Sequence, residues 1–265
     1  MPRSGQTASK PRSTDPADYQ DVARPVAAMA KDFPAGQHIP RHLHARAQLI
    51  FAAAGVMLVS TDEGSWAVPP QRAVWMPAGT AHEIRMPGAV AMRTLYVRSD
   101  AAARMPARVH VIAVSALLRE LILRACALPL LYEERGATGR LMALILDEIA
   151  TLPTLGLDLP LPHDPRLARI CRALGADPGS TRTLEDWGRD AGGSGRTLAR
   201  LFVRETGLTF AAWRQQARLL AALARLAAGE PVTRIALDLG YESPSAFAAM
   251  FKRALGAPPS RYLAS

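Results

Sequence analysis

Residues 238–263, DLGYESPSAFAAMFKRALGAPPSRYL, decide the fold of the second half of the chain. A short helical run ends at Gly240, and the chain restarts at Ser243 and Pro244. The serine can cap orphan backbone N–H groups, and the proline has a helix-ready φ and lacks only a donor that has no partner there. Phe247, Met250 and Phe251 then recur at helical spacing as candidate core, and Gly256 stops the helix. Short helix, glycine-containing turn, second helix is the outline of a helix-turn-helix.

The same grammar occurs about 49 residues earlier. Thr183 with Asp186 resembles a capping box and starts LEDWGRDA, while Ser194 caps RTLARLFVRET, which runs to Gly207. Thr209 then caps a long connecting helix, FAAWRQQARLLAALARLAA, ending at Gly229, and VTRIALDL leads into Gly240. Upstream, Asp164 and Pro165 open LARICRALGA. Charge follows this division. The chain carries a net charge of +9, and residues 163–265 hold 15 Lys and Arg against 9 Asp and Glu. Such an excess points to a polyanionic partner.

These two motifs closely resemble the paired helix-turn-helix unit of AraC-type transcriptional regulators, over roughly residues 163–264. The resemblance implies a sequence-specific regulator bound to a double-stranded DNA operator, with two recognition helices in successive major-groove segments. Helix phase then nominates the contacts. With Leu198, Leu201 and Phe202 inward, Ser194, Arg196, Thr197, Arg200 and Arg204 remain on the first recognition helix. On the second, Glu242, Ser243, Ser245, Ala246, Ala249, Lys252 and Arg253 remain. Arg196 and Arg200, one turn apart, suit bidentate pairing with guanine. Arg218 and Arg225, on the connecting helix, read as structural or phosphate-positioning. The first module carries Gly188 and Gly195 where such regulators commonly have Ala and Pro, so Gly188→Ala with Gly195→Pro is expected to stabilise it.

The first hundred residues have a different texture. Short apolar runs broken by Gly and Pro, such as QLIFAAAGVMLVST and RAVWMPAGT, are the pattern of a small β domain. Within it, GQHIPRHLHARAQLIFAAAG (residues 36–55) has the spacing G-x5-H-x-H-x3-Q-x6-G, similar to the first cupin motif with Gln48 at its usual Glu position. Pro77, Gly79 and His82 match part of the second motif, with Gln71 and Met86 departing from it. The fold expected is therefore multidomain: an N-terminal cupin β-barrel followed by an all-α domain with two helix-turn-helix motifs.

The cupin resemblance brings a chemistry with it. His42 and His44, two apart on one strand, would point into the barrel, with Gln48 and His82 closing the site. Three imidazoles and an amide oxygen suit a divalent transition metal, Ni, Zn, Fe or Mn. The alternative is a relic barrel whose histidines hydrogen-bond inside the pocket of a small-molecule effector. A second functional class is a cupin metalloenzyme, a dioxygenase or isomerase, with a DNA-binding appendage. Few acid or base residues accompany the histidines, and Glu83 alternates outward, so the chain reads as a non-enzyme. Trp66 and Trp75 read as barrel core.

The expected boundaries are a disordered tail at 1–21, rich in Pro, Ser, Thr and charge; the barrel at 22–100; a helical segment at 101–152; a stiff Pro-rich linker at 153–163; and the DNA-binding domain at 164–265. In the helical segment, Leu117, Leu118, Leu121, Ile122 and Ala125 form an apolar stripe that a homodimer could bury, or that could pack on the barrel of the same chain. No apolar run approaches the ~18 residues of a membrane span. Cys126 and Cys171 form no disulfide or zinc spacing, which fits a reducing cytoplasm.

Overall fold

The computed structural model describes residues 13–155 and 158–262. After a short 3-10 helix (Pro16–Tyr19), nine strands follow: β1 (Val26–Phe33), β2 (Gln37–His42), β3 (Ala47–Ala54), β4 (Met57–Ser60), β5 (Gly64–Val68), β6 (Arg72–Met76), β7 (His82–Met86), β8 (Val90–Val97) and β9 (His110–Ala113). Helices α1 (Ala116–Ala127) and α2 (Ala137–Thr151) come next, then strands β10 (Thr154–Leu155) and β11 (Asp158–Pro160). The helical domain consists of α3 (Pro165–Ala176), α4 (Leu184–Ala191), α5 (Gly195–Thr206), α6 (Phe210–Ala227), α7 (Val232–Asp238), α8 (Pro244–Leu255) and α9 (Pro259–Tyr262).

The strands form two sheets. One has the order β1-β8-β3-β6-β9-β10, the other β11-β5-β4-β7-β2. Strand β3, AQLIFAAA, is buried almost throughout because both faces of its sheet are covered. Ile50 and Ala52 join Val74, Met76, Tyr96, Val59 and Ile84 between the sheets. Leu49 and Phe51 face the other way and join Trp75, Leu95, Leu118, Ile122, Ile145 and Ile149 under the two helices. Each large side chain buried this way contributes about 1.5–3 kcal/mol. Trp66 lies in the first core; Trp75 belongs to the helix-covered face, its indole donating to Pro106 O.

Three expected boundaries need correction. The tail at 1–21 is packed in part: Tyr19 is buried against Tyr96, and Arg46 donates from its guanidinium to the carbonyls of Gln20, Val22 and Arg24. Residues 1–12 lie outside the described residues. The barrel does not end at 100, because β9 pairs with β6. Its four residues carry no periodicity long enough to distinguish a strand from a loop.

The linker at 153–163 is a clasp rather than a free spacer. Strand β10 adds to β9 and β11 adds to β5, one strand on each sheet. Pro160 is tolerated because β11 is an edge strand, where a missing N–H forfeits no ladder bond. The apolar stripe of α1 also divides. Leu118, Ile122 and Ala125 are buried on the sheet in the same chain, whereas Leu117 is 51% exposed, as is Leu144 of α2 at 42%.

The helical domain sits against the outer face of the second sheet. Leu161 N donates to Glu63 O (2.9 Å), and Trp213 Nε1 donates to Pro160 O (2.8 Å). Ala217, Leu220, Ala221 and Ala224 of α6 face Leu58, Ser60, Ser65, Glu83 and Arg85 across a cavity of about 280 Å³. The turn between β7 and β8 touches the end of α6, where a Cβ on Gly88 would lie 2.1 Å from Ala227 O. Gly88→Ala should therefore pry the domains apart, splitting a single calorimetric unfolding transition into two; an unchanged single transition would show the contact to be dispensable.

Candidate sensor site and nucleic-acid interface

The sensor site is assembled from β2, β7 and the segment between β2 and β3. Strand β2 pairs with β7, and a register irregularity after Ile39 brings His42 opposite His82. His44 lies just past the end of β2 rather than on it, correcting the expectation of one strand for both histidines. The chain there is pinned by Gly79 N donating to His44 O (2.9 Å), and the inward direction is kept. Ring centroids are 4.8 Å apart for His42 and His44, 4.3 Å for His42 and His82, and 5.6 Å for His44 and His82.

Hydrogen bonding fixes which nitrogen two of the rings present. His42 Nδ1 contacts Pro40 O at 2.8 Å, and His82 Nδ1 contacts Thr80 O at 2.9 Å. A carbonyl can only accept, so both Nδ1 atoms carry a proton, and Nε2 is the nitrogen left to each of these rings as a ligand atom. His82 Nε2 is buried with no partner among the described residues. Burial lowers the His44 pKa to about 4, helped by His42 and His82. Burial likewise lowers His82 to about 4, against the bond to Thr80 and with His42 and Arg41 nearby. Both rings are therefore neutral at pH 7.

Gln48 faces the same interior. Its register partner is Tyr96, whose ring packs edge-on against His44 at 5.1 Å. The Thr94 hydroxyl donates to Leu49 O (3.0 Å), so its oxygen accepts from Gln48 Nε2 (2.9 Å). That relay uses the amide nitrogen and leaves Gln48 Oε1 as the amide's remaining acceptor, an atom buried without a partner among the described residues. Orphaned polar atoms of this kind are costly, about 1–3 kcal/mol each, which favours a bound partner for each. Thr94 and Tyr96 were not visible as site residues in the sequence; only the β3–β8 register, which sets Tyr96 opposite Gln48 and Thr94 opposite the neighbouring Ile50, reveals them.

One ligand atom from each of the three histidines lies within 4.8 Å of the others. Imidazoles on one tetrahedral ion at about 2.1 Å stand about 3.4 Å apart, so the widest pair needs to close by up to about 1.4 Å. The donor chemistry fits a divalent transition metal. His38 pairs with Glu83 on the exposed outer face, and His110 lies on β9 bound to Arg108 O, so neither joins the cluster.

In the helical domain, α4–α5 and α7–α8 are the two helix-turn-helix modules, joined by α6. Thr183 and Asp186 form the capping box, and Gly192, at φ 77°, allows the turn into α5. Leu198, Leu201, Phe202, Phe247, Met250 and Phe251 are all buried. Ser194, Arg196, Thr197, Arg200, Arg204, Glu242, Ser245, Ala246, Ala249, Lys252 and Arg253 are exposed, and Ser243 is half-buried. Ser194 and Ser243 are spent partly as caps, accepting from Thr197 N and Ala246 N. Among the described residues Arg196 and Arg200 form no ion pair, whereas Arg204 lies 3.8 Å from Glu205. Arg225 pairs with Glu230 and Asp238, and Arg218 with backbone carbonyls, so both are structural.

Gly188 reverses an expectation. It is buried, and a Cβ there would lie 2.2 Å from Gly193 O, a backbone atom of the turn itself. The close approach outweighs any gain in helix propensity. The space beside Gly195 is filled by the Glu185 carboxylate, a flexible side chain that could move away.

Known proteins agree with this architecture. The family described as the AraC-like ligand binding domain matches residues 30–177, and a helix-turn-helix domain family matches residues 187–265. The HTH-type transcriptional regulator NimR of Escherichia coli (strain K12) is 36% identical over 225 residues, 85% of this chain and 82% of that protein. The HTH-type transcriptional regulator RipA of Corynebacterium glutamicum is 31% identical over 103 residues, 39% of this chain and 31% of its own. The crystal structure of ToxT from Vibrio cholerae O395 aligns over 90% of this chain and 97% of its own with a TM-score of 0.39 and 11% identity. The chain belongs to the AraC family of transcriptional regulators: an N-terminal ligand-binding domain and a helix-turn-helix DNA-binding domain. The enzyme alternative finds no support, and no helix among the described residues is long and apolar enough to cross a membrane.

Two predictions follow from the site geometry. In protein without added metal, unfolding releases His44 and His82 from pKa values near 4 to the ordinary 6.5. The unfolded state then binds more protons between those values, so stability falls as pH drops from about 6.5 toward about 4, by at most about 1.4 kcal/mol per pH unit for each ring. Urea unfolding across that window should show the slope, and the double variant His44→Gln, His82→Gln should flatten it. Gly188→Ala should destabilise the chain by about 1–3 kcal/mol through overpacking at the turn, measurable as a lowered urea midpoint; a raised midpoint would restore the propensity argument.

Proposed function

We propose that this regulator holds a divalent transition metal, Ni, Zn, Fe or Mn, on His42, His44 and His82, with Gln48 Oε1 completing the donor set. The observation that carries the reading is the convergence of three imidazoles, two of them oriented by backbone carbonyls, in the interior that Gln48 also faces with an amide oxygen that has no partner among the described residues. Such backbone acceptors fix the tautomer of ligating histidines and raise their basicity. A metal held there would supply a Lewis acid to the interior of the ligand-binding domain. Gln48 offers an oxygen without charge, so affinity stays below that of a site with a carboxylate.

On the DNA side, Arg196 and Arg200 read base edges, with Arg204, Lys252 and Arg253 nearer the phosphates. Ser194, Thr197, Glu242, Ser243, Ser245, Ala246 and Ala249 line the two contact faces. Their exposure, complete but for the half-buried Ser243, supports this, as does the net positive charge of the domain. The chain acts as a homodimer through α1 and α2, whose exposed Leu117 and Leu144 would otherwise face water. Two buried cysteines, neither in a disulfide, favour a cytoplasmic setting, and burial raises the Cys171 thiol to about 12, which makes it inert.

Metal analysis of protein purified without chelator, followed by titration with nickel and zinc, should give one ion per chain. His44→Ala should abolish stoichiometric uptake, and Gln48→Glu should strengthen it. Protein that contains no transition metal and takes none up would refute the metal reading and leave an effector pocket. For DNA, Arg196→Ala or Arg200→Ala should cost about 1–3 kcal/mol and relax preference at one base pair. A uniform loss across sequences would make that arginine a phosphate contact.

A further inference from the structure

The two reading modules are joined by more than the connecting helix. Arg218, half-buried on α6, reaches the loop that leads into α4: its Nε donates to Pro178 O (2.9 Å), and its Nη2 lies 3.3 Å from Gly179 O and 3.4 Å from Ser180 O. The same guanidinium stands over the ring of Tyr241, 5.5 Å from its centroid. Tyr241 lies in the turn of the second module and packs edge-on against Phe247 of its recognition helix, with centroids 5.4 Å apart. One side chain therefore grips the entrance of the first module by its edge and the turn of the second by its face.

Between the two grips the backbones nearly touch. A Cβ on Gly179 would lie 2.2 Å from Asp238 O, and one on Gly240 would lie 2.7 Å from Gly179 O and 3.1 Å from Arg218 Nη2. Glycine at both positions lets the loop before α4 sit directly against the end of α7. Arg225 meanwhile ties α7 to α6 through Asp238. Lysine could not replace this arrangement, because a single ammonium lacks the planar fork that serves several carbonyls while its face covers a ring.

We propose that Arg218 is a positioning residue that fixes the separation and rotation of the two recognition helices, and so sets the spacing of DNA half-sites the protein accepts. The proposal rests on the reading that both recognition helices enter the DNA. One added base pair displaces the second half-site by about 3.4 Å and turns it by about 34°. A stapled pair of modules cannot follow that step; a pair tethered by α6 alone can.

The test uses the full chain and a duplex selected from a random pool by the wild-type protein. Scrambling each half-site in turn, and inserting or deleting one base pair between them, is followed by fluorescence anisotropy. Wild type should need both half-sites and lose about 30-fold or more in affinity on a one-base-pair change of spacing. Arg218→Met, shown folded by circular dichroism, should lose about 3-fold or less on the same change while binding the original spacing within about 10-fold of wild type. Tyr241→Leu, which removes the face grip and keeps the carbonyl bonds, should broaden the spacing profile in the same direction and serves if Arg218→Met does not fold. Equal weakening at every spacing, with the profile unchanged in the folded variant, overturns the staple while leaving two-helix reading intact. Wild type indifferent to scrambling one half-site overturns both.

Discussion

The indole N–H of Trp213 bonded to Pro160 O holds the molecule together in a way neither domain could alone. Pro160 belongs to an edge strand of the sheet that also carries His42 and His82, and Trp213 belongs to the helix that joins the two DNA-reading modules. A single hydrogen bond of this kind contributes about 1 kcal/mol. Its importance lies in where it falls. Leu161 bonds to Glu63 beside it, and the apolar core between the sheets runs on into the core of the helical domain without a break.

Strand β7 shows how the sheet can serve two masters. Side chains alternate along it, so His82, Ile84 and Met86 face the interior while Glu83 and Arg85 face the space beneath α6. Helix α6 has a similar double character. Ala217, Leu220, Ala221 and Ala224 are turned to the barrel, and the guanidinium of Arg218 reaches the loop before α4. Small residues on the barrel side allow the helix to lie close, with Gly88 meeting Ala227 at the far end. Contact between sensor and reader thus passes through two elements, each with one face in either domain.

The helical domain was legible because its punctuation is local. Thr183, Ser194, Thr209 and Ser243 cap helices within three residues of themselves, and Gly192, Gly207, Gly240 and Gly256 turn the chain at positive φ. The histidine spacing was legible for the same reason. What escaped was non-local. Strands β9, β10 and β11 exist only because a distant edge waits for them, and a short segment with prolines gives no sign of that. The role of Tyr19 and Arg46 in fastening the N-terminal segment, and of Thr94 in orienting Gln48, depends on pairings 22 to 77 residues apart in sequence. Gly188 misled because helix propensity is intrinsic to a residue, whereas the carbonyl of Gly193 against it is a fact of the folded turn.

The central claim is that barrel and helical domain form one docked unit, with the segment between them clasped onto the barrel. Native-state hydrogen exchange at the Leu161 amide and the Trp213 indole measures this directly, since each is held by a single bond across the junction. The clasp predicts protection of both that approaches that of the buried barrel strand β3. Exchange of both at the rate of an open linker, with β3 still protected, would contradict it.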